Sequence, residues 1–184
     1  MAHWWQTSGM ANEVAYFATG CFWGAERRFW QMPGVIATSV GYMGGNASNP
    51  SYELVCTGVT GHAEIVEVTF DPTKVAYRDL LREFWTMHDP TTPNRQGNDI
   101  GSQYRSVIFT TTPEQLVEAR ESAAVYQGAL NAAGSGVITT AIQSAEDVAY
   151  WPAEEYHQKY LMKNPLGYDC HSTTGVPFPT GVSA

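Results

Sequence analysis

Three cysteines, Cys21, Cys56 and Cys170, are the residues of this sequence best suited to nucleophilic or redox chemistry. They are widely spaced and odd in number, which makes a poor disulfide framework. The sequence contains no CxxC pair, no HxxxH pair and no Cys/His cluster with zinc spacing, so a structural metal site has little support. We expect the cysteines to begin as thiols. If they have a function, we expect it to be reactive and not structural.

Cys21 lies in the stretch GCFWG, where a predicted strand is followed by a predicted helix. A sulfur at a helix N-terminus lies near unpaired N–H groups and the positive end of the helix dipole, which favours the thiolate nucleophile. The flanking glycines let another molecule approach the backbone closely. We therefore favour a reactive Cys21 over a buried structural one, although the structural role is commoner for cysteines in general.

Two aromatic residues, Phe22 and Trp23, follow Cys21 directly. They could anchor the helix in the core, or they could line a pocket for a small apolar group beside the sulfur. The sequence does not separate these two roles, and both can hold at once.

Glu64 lies on a predicted strand that ends at Phe70, and it shares one face with Val66 and Val68, while Glu67 points the other way. A carboxyl group on an apolar face has a raised pKa, stays protonated near neutral pH and can donate a proton. A different register, or an edge strand open to solvent, would remove this effect. The spacing alone leaves both interpretations open.

Three further polar residues, Tyr52, Asp99 and Tyr104, lie in or beside predicted loops and could add two phenols and a carboxylate to a polar pocket. Taken singly, each is weak evidence, because polar loop residues are most often solvated. His62, His88 and His157 are interpreted as hydrogen-bonded supports rather than ligands.

Cys170 lies in a segment rich in Gly, Pro and Thr, for which no regular structure is predicted. A thiol on a mobile tail can move to meet an oxidised sulfur, as a resolving cysteine must. The alternative is an incidental cysteine. Cys56 falls in a predicted short helix, and we interpret it as structural.

The predicted elements that position these residues alternate between strands and helices. Strands are predicted at 14–20, 35–42, 62–70, 103–110 and 137–143, and helices at 24–31, 77–88, 113–134 and 153–163. The third of these helices begins with a capping Thr112 and a proline at the first position. The order predicts an α+β fold: a ferredoxin-like two-layer sandwich whose mixed, largely antiparallel sheet carries packed helices, followed by a long irregular C-terminal tail.

The chain is predicted to form a single catalytic domain over 1–184, with a flexible lead-in at 1–12 and a mobile tail at 164–184 that carries Cys170. A formal net charge of −8 argues against a nucleic-acid or anionic-membrane partner. No apolar run approaches the roughly 20 residues that span a bilayer, and the N-terminus lacks the order of a signal peptide. We expect a cytoplasmic monomer.

A series of motifs in this sequence resembles the peptide methionine sulfoxide reductase A family. The motifs are GCFWGAE, GYMGG, NPSYELVC, TGHAEIVEVTFDP, HDPTTPNRQGNDIGSQYRS and AEEYHQKYLMKNPLGYDC, and they cover roughly residues 13–172 in order. Such a series is far more specific than a single short pattern. The resemblance implies an enzyme that reduces the S epimer of methionine sulfoxide, free or in proteins, to methionine and so repairs oxidised proteins.

The resemblance also implies a role for each matching residue. Cys21 would attack the sulfoxide sulfur, and Phe22 with Trp23 would receive the S-methyl group. Glu64 would protonate the sulfoxide oxygen, helped by the residues of the same polar site, Tyr52, Tyr104 and Asp99. Cys170 would be the recycling cysteine.

The implied reaction leaves Cys21 as a sulfenic acid, which then condenses with Cys170 to form a disulfide. A thioredoxin-type dithiol would reduce this disulfide, and no metal or organic cofactor is implied. Some family members carry a second recycling cysteine further along the tail, but none follows Cys170 here. We therefore expect direct reduction of the Cys21–Cys170 bond.

Three other functions remain to be weighed against this one. A peroxidase would form the same sulfenic acid without needing an aromatic methyl pocket. A Cys/His hydrolase would need a histidine base beside the cysteine, for which there is no local signature. A redox-sensing module, or one that only binds oxidised methionine, would show binding without turnover.

Overall fold

A computed structural model describes residues 11–169 and 172–181 of the chain. The strands in these residues are Glu13–Thr19 (β1), Val35–Met43 (β2), Ala63–Phe70 (β3), Arg95–Gln96 (β4), Asp99–Ile100 (β5), Ser106–Thr110 (β6), Ala141–Ser144 (β7) and Trp151–Pro152 (β8). The helices are Phe22–Trp30 (α1), Tyr52–Cys56 (α2), Tyr77–Met87 (α3), Pro113–Ala132 (α4) and Tyr160–Lys163 (α5), and Ser102–Tyr104 forms a single 3-10 turn. No helix in the described residues is both long enough and apolar enough to cross a bilayer.

The main sheet has six strands in the order β7-β6-β1-β3-β2-β8. Every neighbouring pair is antiparallel except β6 and β7, which are parallel. The strands β4 and β5 form a separate two-stranded ribbon. The predicted α+β class, with a mixed and largely antiparallel sheet and helices, is therefore confirmed.

The helices α1, α3 and α4 pack on one face of the sheet and form the larger core. Phe17 of β1 lies at its centre, with its ring centroid 4.9 Å from that of Phe29 on α1 and 5.5 Å from that of Phe84 on α3. The opposite face carries a smaller apolar cluster, which includes Ile65 and Phe109 and is covered by the chain around Val148. The alternation of side chains along β1 and β3 divides residues between these two cores.

Most element predictions are confirmed at their centres. The cap of α4 forms as predicted, because Thr112 Oγ1 accepts a hydrogen bond from the Gln115 N–H at 3.1 Å. Helix α1 begins at Phe22, earlier than predicted, so Cys21 itself is the N-cap residue. The strand predicted at 103–110 begins only at Ser106, because the preceding residues form the 3-10 turn.

Two predicted elements are wrong over much of their length. The strand predicted at 137–143 forms only at Ala141–Ser144. The helix predicted at 153–163 forms only at Tyr160–Lys163, since Lys159 has a left-handed backbone with φ 53°. In place of helical bonds, the Gln158 amide side chain bonds both the N–H and the carbonyl of Val40 on β2, each at 2.8 Å.

The described part of the C-terminal tail contacts α4. The Tyr126 hydroxyl donates to the Val176 carbonyl at 2.8 Å, and the Phe178 ring stacks on the Tyr126 ring at 5.8 Å. Cys170 lies outside the described residues, as does most of the predicted lead-in.

Candidate active site

Cys21 occupies the turn between β1 and α1, where the sheet meets the N-terminus of the helix. Gly20 before it has φ +98°, a left-handed conformation that favours glycine. A Cβ atom at Gly20 would also lie 2.6 Å from Cγ of Gln96, so a side chain there has no room. Gly20 therefore gives the chain the sharp turn that puts Cys21, which is 7% exposed, at the helix N-terminus.

Glu64 lies on β3 between β1 and β2, so it is on a central strand and not on an edge. Its side chain is buried, and Oε2 accepts a hydrogen bond from the backbone N–H of Phe22 at 3.0 Å. Burial raises the pKa of Glu64 to about 8, although the bond from Phe22 lowers it, and the charge of Asp99 raises it further. The structure thus places a largely protonated carboxylic acid beside the residue that follows Cys21.

Two tyrosines on other elements lie close enough to Glu64 for its charge to act on them. Tyr52 begins α2, and burial together with a hydrogen bond to the Cys56 thiol raises its pKa above the usual range. Tyr104 ends the 3-10 turn, and burial followed by the charge of Glu64 raises its pKa. Both phenols remain protonated at neutral pH and can donate hydrogen bonds.

Asp99 lies on β5, and its Oδ1 accepts a hydrogen bond from the Tyr168 hydroxyl at 3.1 Å. Its other oxygen, Oδ2, is buried and has no hydrogen-bond partner among the described residues. A buried acceptor without a donor is costly, so a ligand that supplies a donor there would be favoured. The charge of Asp99 raises the pKa values of both Glu64 and Tyr104, which places these three residues in one site.

The two aromatic residues after Cys21 have different surroundings. Phe22 is 1% exposed, and its ring centroid lies 5.0 Å from that of His157, so it belongs to the core. Trp23 is half-buried and stacks on Tyr160 with ring centroids 3.7 Å apart. Its Nε1 donates to Nδ1 of His157 at 3.0 Å. Trp23 is therefore the more accessible of the two.

Sequence reasoning missed Glu154, which ties several parts of the site together. Its Oε1 accepts from the Tyr52 N–H and its Oε2 from the Tyr42 hydroxyl, each at 2.8 Å. His157 lies nearby, with Nε2 3.8 Å from Glu154 Oε2, and burial lowers the pKa of the imidazole. The polar run AEEYHQKY is the available signal, but its composition predicts a helix over 153–163 and not these contacts.

The remaining histidines differ in their surroundings: Nδ1 of His62 is buried without a hydrogen-bond partner among the described residues, so the expected hydrogen bond is not found at that atom. His88 bonds the Phe84 carbonyl and the Ser106 hydroxyl, each at 2.7 Å, which is the supporting role expected of it. Cys56 ends α2 as predicted, but its bond to Tyr52 brings it closer to the site than we expected. No group of three or more His, Cys, Asp or Glu in the described part of the chain could hold a metal ion.

A cysteine at a helix N-terminus, next to a neutral carboxylic acid and two phenols, is an arrangement typical of a thiol-dependent oxidoreductase. The thiolate can attack an electrophilic centre while the acid protonates the oxygen that leaves.

The chain belongs to the peptide methionine sulfoxide reductase family, whose model matches residues 13–177. It is 57% identical over 174 residues to the peptide methionine sulfoxide reductase MsrA of Salinispora arenicola, with 94% of this chain and 78% of that protein covered.

Solved structures that resemble this chain include a member of the same family. The methionine sulfoxide reductase A of Corynebacterium diphtheriae is 47% identical, with a TM-score of 0.83 over 97% of this chain and 85% of that one. Reduced Mxr1 of Saccharomyces cerevisiae is 35% identical, with a TM-score of 0.78 over 88% of this chain and 92% of that one.

The family resemblance inferred from the motifs is thus confirmed, and with it the activity. The protein is a peptide-methionine (S)-S-oxide reductase that uses thiol chemistry to return methionine sulfoxide to methionine and so repairs oxidised proteins. A module that binds or senses oxidised methionine without turnover is not favoured.

Proposed function

We propose that Cys21 is the nucleophile of this reduction and that Glu64 is its acid. The observation that carries the proposal is the 3.0 Å bond from the Phe22 N–H to Glu64 Oε2, which fixes a buried carboxylic acid beside the N-terminus of α1. Because its pKa is raised to about 8, Glu64 keeps a proton to donate at neutral pH. Tyr52 and Tyr104 supply further donors to the sulfoxide oxygen.

The first step transfers oxygen from the substrate to the enzyme. The Cys21 thiolate attacks the sulfoxide sulfur and forms an S–S bond, and Glu64 protonates the oxygen, which is a poor leaving group until it is protonated. The S–O bond of the substrate breaks, and the departing hydroxide attacks the Cys21 sulfur, so that the S–S bond breaks and methionine is displaced. Methionine leaves with its sulfur reduced by two electrons, and Cys21 is oxidised to a sulfenic acid. The Cys170 thiol then attacks the Cys21 sulfur, so that a disulfide forms and water leaves.

The substrate is held by contacts on both sides of the reacting sulfur. Trp23, with Phe22 behind it, forms the apolar wall against which the S-methyl group packs. Asp99 Oδ2, buried without a partner among the described residues, accepts a donor from the substrate. These assignments explain why a half-buried indole and an unsatisfied carboxylate oxygen lie in the same site.

The disulfide must be reduced before the next turnover, and we propose a thioredoxin-type dithiol as the reductant. A solved structure of the relative Mxr1 contains Trx2 as its partner, which supports a partner of this kind. A reducing compartment such as the cytoplasm provides it. We also propose that the chain acts as a monomer.

The core of the domain is proposed to be ferredoxin-like. Four adjacent strands of the sheet lie in the order β6-β1-β3-β2. Helix α1 connects β1 to β2, and α3 follows β3 on the way to β6. A β-α-β-β-α-β chain with this strand order supports the assignment.

The role of Glu64 is tested by Glu64→Ala in single-turnover experiments. Methionine formation should slow by about 10²–10⁴, the range typical of losing a general acid. Glu67→Ala is the matched control, because Glu67 lies on the same strand with its side chain on the other face. An unchanged rate in Glu64→Ala would show that another group protonates the oxygen.

A further inference from the structure

The apolar wall at Trp23 depends on a segment with little regular structure of its own. Tyr160, on which Trp23 stacks, and His157, which accepts its indole N–H, both belong to residues 153–160. Only Tyr160 of this segment is helical. The position of the wall therefore depends on the side-chain bonds that hold the segment against α1 and β2.

The strongest of these bonds join Glu26 and Lys159. Glu26 lies on α1 one turn after Trp23 and is fully buried. Its Oε2 accepts the backbone N–H of Lys159 at 2.9 Å, and its Oε1 accepts the Lys159 ammonium at 2.6 Å. A buried carboxylate is costly unless it is both paired and hydrogen-bonded, and this one is both.

Thr38 on β2 completes the arrangement. Its hydroxyl donates to Glu26 Oε1 at 3.0 Å, and its carbonyl accepts from Lys159 Nζ at 2.7 Å. The side chains of Glu26 and Lys159 thus connect α1, β2 and the segment that carries Tyr160.

The backbone of Lys159 indicates that these bonds impose a conformation. With φ 53° and ψ 37°, Lys159 lies in the left-handed region, which a lysine adopts only at a cost in free energy. In this conformation its N–H and its ammonium both reach Glu26, and the next residue is Tyr160. Such local strain persists only where surrounding contacts maintain it.

We propose that Glu26 and Lys159 are positioning residues that fix the width of the methyl pocket by holding Tyr160 and His157 against Trp23. This inference rests on the proposed role of Trp23 as the pocket wall. The consequence is substrate selectivity. A pocket of fixed width accepts a methyl group on the sulfoxide sulfur and rejects a longer alkyl group.

The test compares methionine S-sulfoxide with ethionine S-sulfoxide, which carries one more methylene on the reacting sulfur. A rigid pocket discriminates one methylene by about 10–200-fold in kcat/KM. In Lys159→Met, this methyl-to-ethyl ratio should fall by about fivefold or more, with a raised KM for methionine sulfoxide and a smaller change in kcat. Because the ratio compares two substrates on one sample, loss of folded enzyme does not alter it.

Lys163→Met is the matched control. Lys163 lies in the same part of the chain, but its ammonium lies 3.7 Å from the exposed Glu155 and has no bond to α1. The ratio should remain that of the unmodified enzyme.

A second variant is needed, because Lys159→Met alone leaves the buried Glu26 carboxylate without its ammonium partner, and an unpaired buried charge can prevent folding. Glu26→Gln/Lys159→Met removes both charges, so it should fold better than Lys159→Met and still show the lowered ratio. An unchanged ratio in a folded double variant would overturn the proposal.

Trp23→Leu separates failure of the inference from failure of the site assignment. A ratio that falls in Trp23→Leu but not in the double variant would leave Trp23 as the wall and refute only the role of Glu26 and Lys159. A ratio unchanged in Trp23→Leu would refute the pocket assignment and the inference with it.

Discussion

At the residue scale, Glu64 shows how burial decides which form of an acid is present. The Phe22 N–H stabilises the carboxylate, yet the loss of hydration is the larger effect, so the pKa rises from 4.5 to about 8. Each pKa unit corresponds to about 1.4 kcal/mol of preference for the neutral form. A carboxyl group that keeps its hydration has no such preference for the neutral form.

The titration of Glu64 predicts the pH dependence of the sulfoxide step. The acid must be protonated, and it loses its proton as the pH rises through about 8, so the single-turnover rate should fall on the alkaline side. Rapid-quench measurements of methionine formation at pH values on both sides of the Glu64 pKa would show this decline. Glu64→Gln, which cannot ionise, should be slow at every pH and lack the alkaline decline. A decline that persists in Glu64→Gln would belong to another group.

At the element scale, the turn from β1 into α1 determines the position of Cys21. Gly20 provides the left-handed backbone, and the Gln96 side chain occupies the space where a side chain on Gly20 would lie. The Gln96 side chain is fixed by the loop after α3, because its Oε1 accepts a hydrogen bond from the N–H of Asp89 in that loop at 3.1 Å. Cys21, the proposed nucleophile, is thus positioned by a loop that is distant in sequence as well as by its own helix.

Gly20→Ala is predicted to destabilise the protein by about 1–3 kcal/mol, because the strained backbone and the close approach of Gln96 add together. Urea unfolding measures the change. Gly128→Ala is the matched control: Gly128 lies inside α4, and a Cβ atom added there would meet no atom within 4 Å, so the substitution should stabilise by about 0.5–1 kcal/mol. Equal stability changes in the two variants would contradict this account of the turn.

Patterns that depend on near neighbours were predictable from the sequence, and contacts between distant residues were not. The two-residue alternation predicted that Glu64 shares a face with Val66 and Val68, and Thr112-Pro113 marked the start of α4. That this face is buried depends on the neighbouring strands and left two interpretations open in the sequence. The run at 153–163 has helical composition, but Glu154 and Lys159 bond residues that lie more than a hundred positions away in sequence. Those partners override the local preference. The different exposures of Phe22 and Trp23 likewise depend on His157 and Tyr160.

At the scale of the whole molecule, the tail is held on both sides of Cys170. Before it, Asp169 forms an ion pair with Arg27 on α1, and the Tyr168 hydroxyl bonds Asp99. After it, Val176 and Phe178 contact Tyr126 on α4. The residues that flank the proposed recycling cysteine are therefore attached both to the active site and to a helix remote from it.

Enzyme oxidised by methionine sulfoxide without a reductant is predicted to contain a Cys21–Cys170 disulfide, which peptide mass spectrometry detects. Under the same conditions Cys170→Ser should accumulate a sulfenic acid on Cys21 in place of the disulfide, because the thiol proposed to displace its oxygen is missing. Cys56→Ser, the matched control, should still turn over with a dithiol reductant. A dominant disulfide that includes Cys56 would contradict the proposed cycle.

The bond between Gln158 and Val40 has a consequence for solubility. β2 lies near the border of the main sheet, and its pairing with β8 extends only over Gly41 and Tyr42. Beyond that point its peptide groups would be open to pairing with a strand of another molecule, the usual route to edge-to-edge aggregation. The Gln158 amide occupies the donor and the acceptor of Val40, and the Lys159 ammonium occupies the Thr38 carbonyl. Gln158 and Lys159 thus leave fewer peptide groups of β2 open to such pairing.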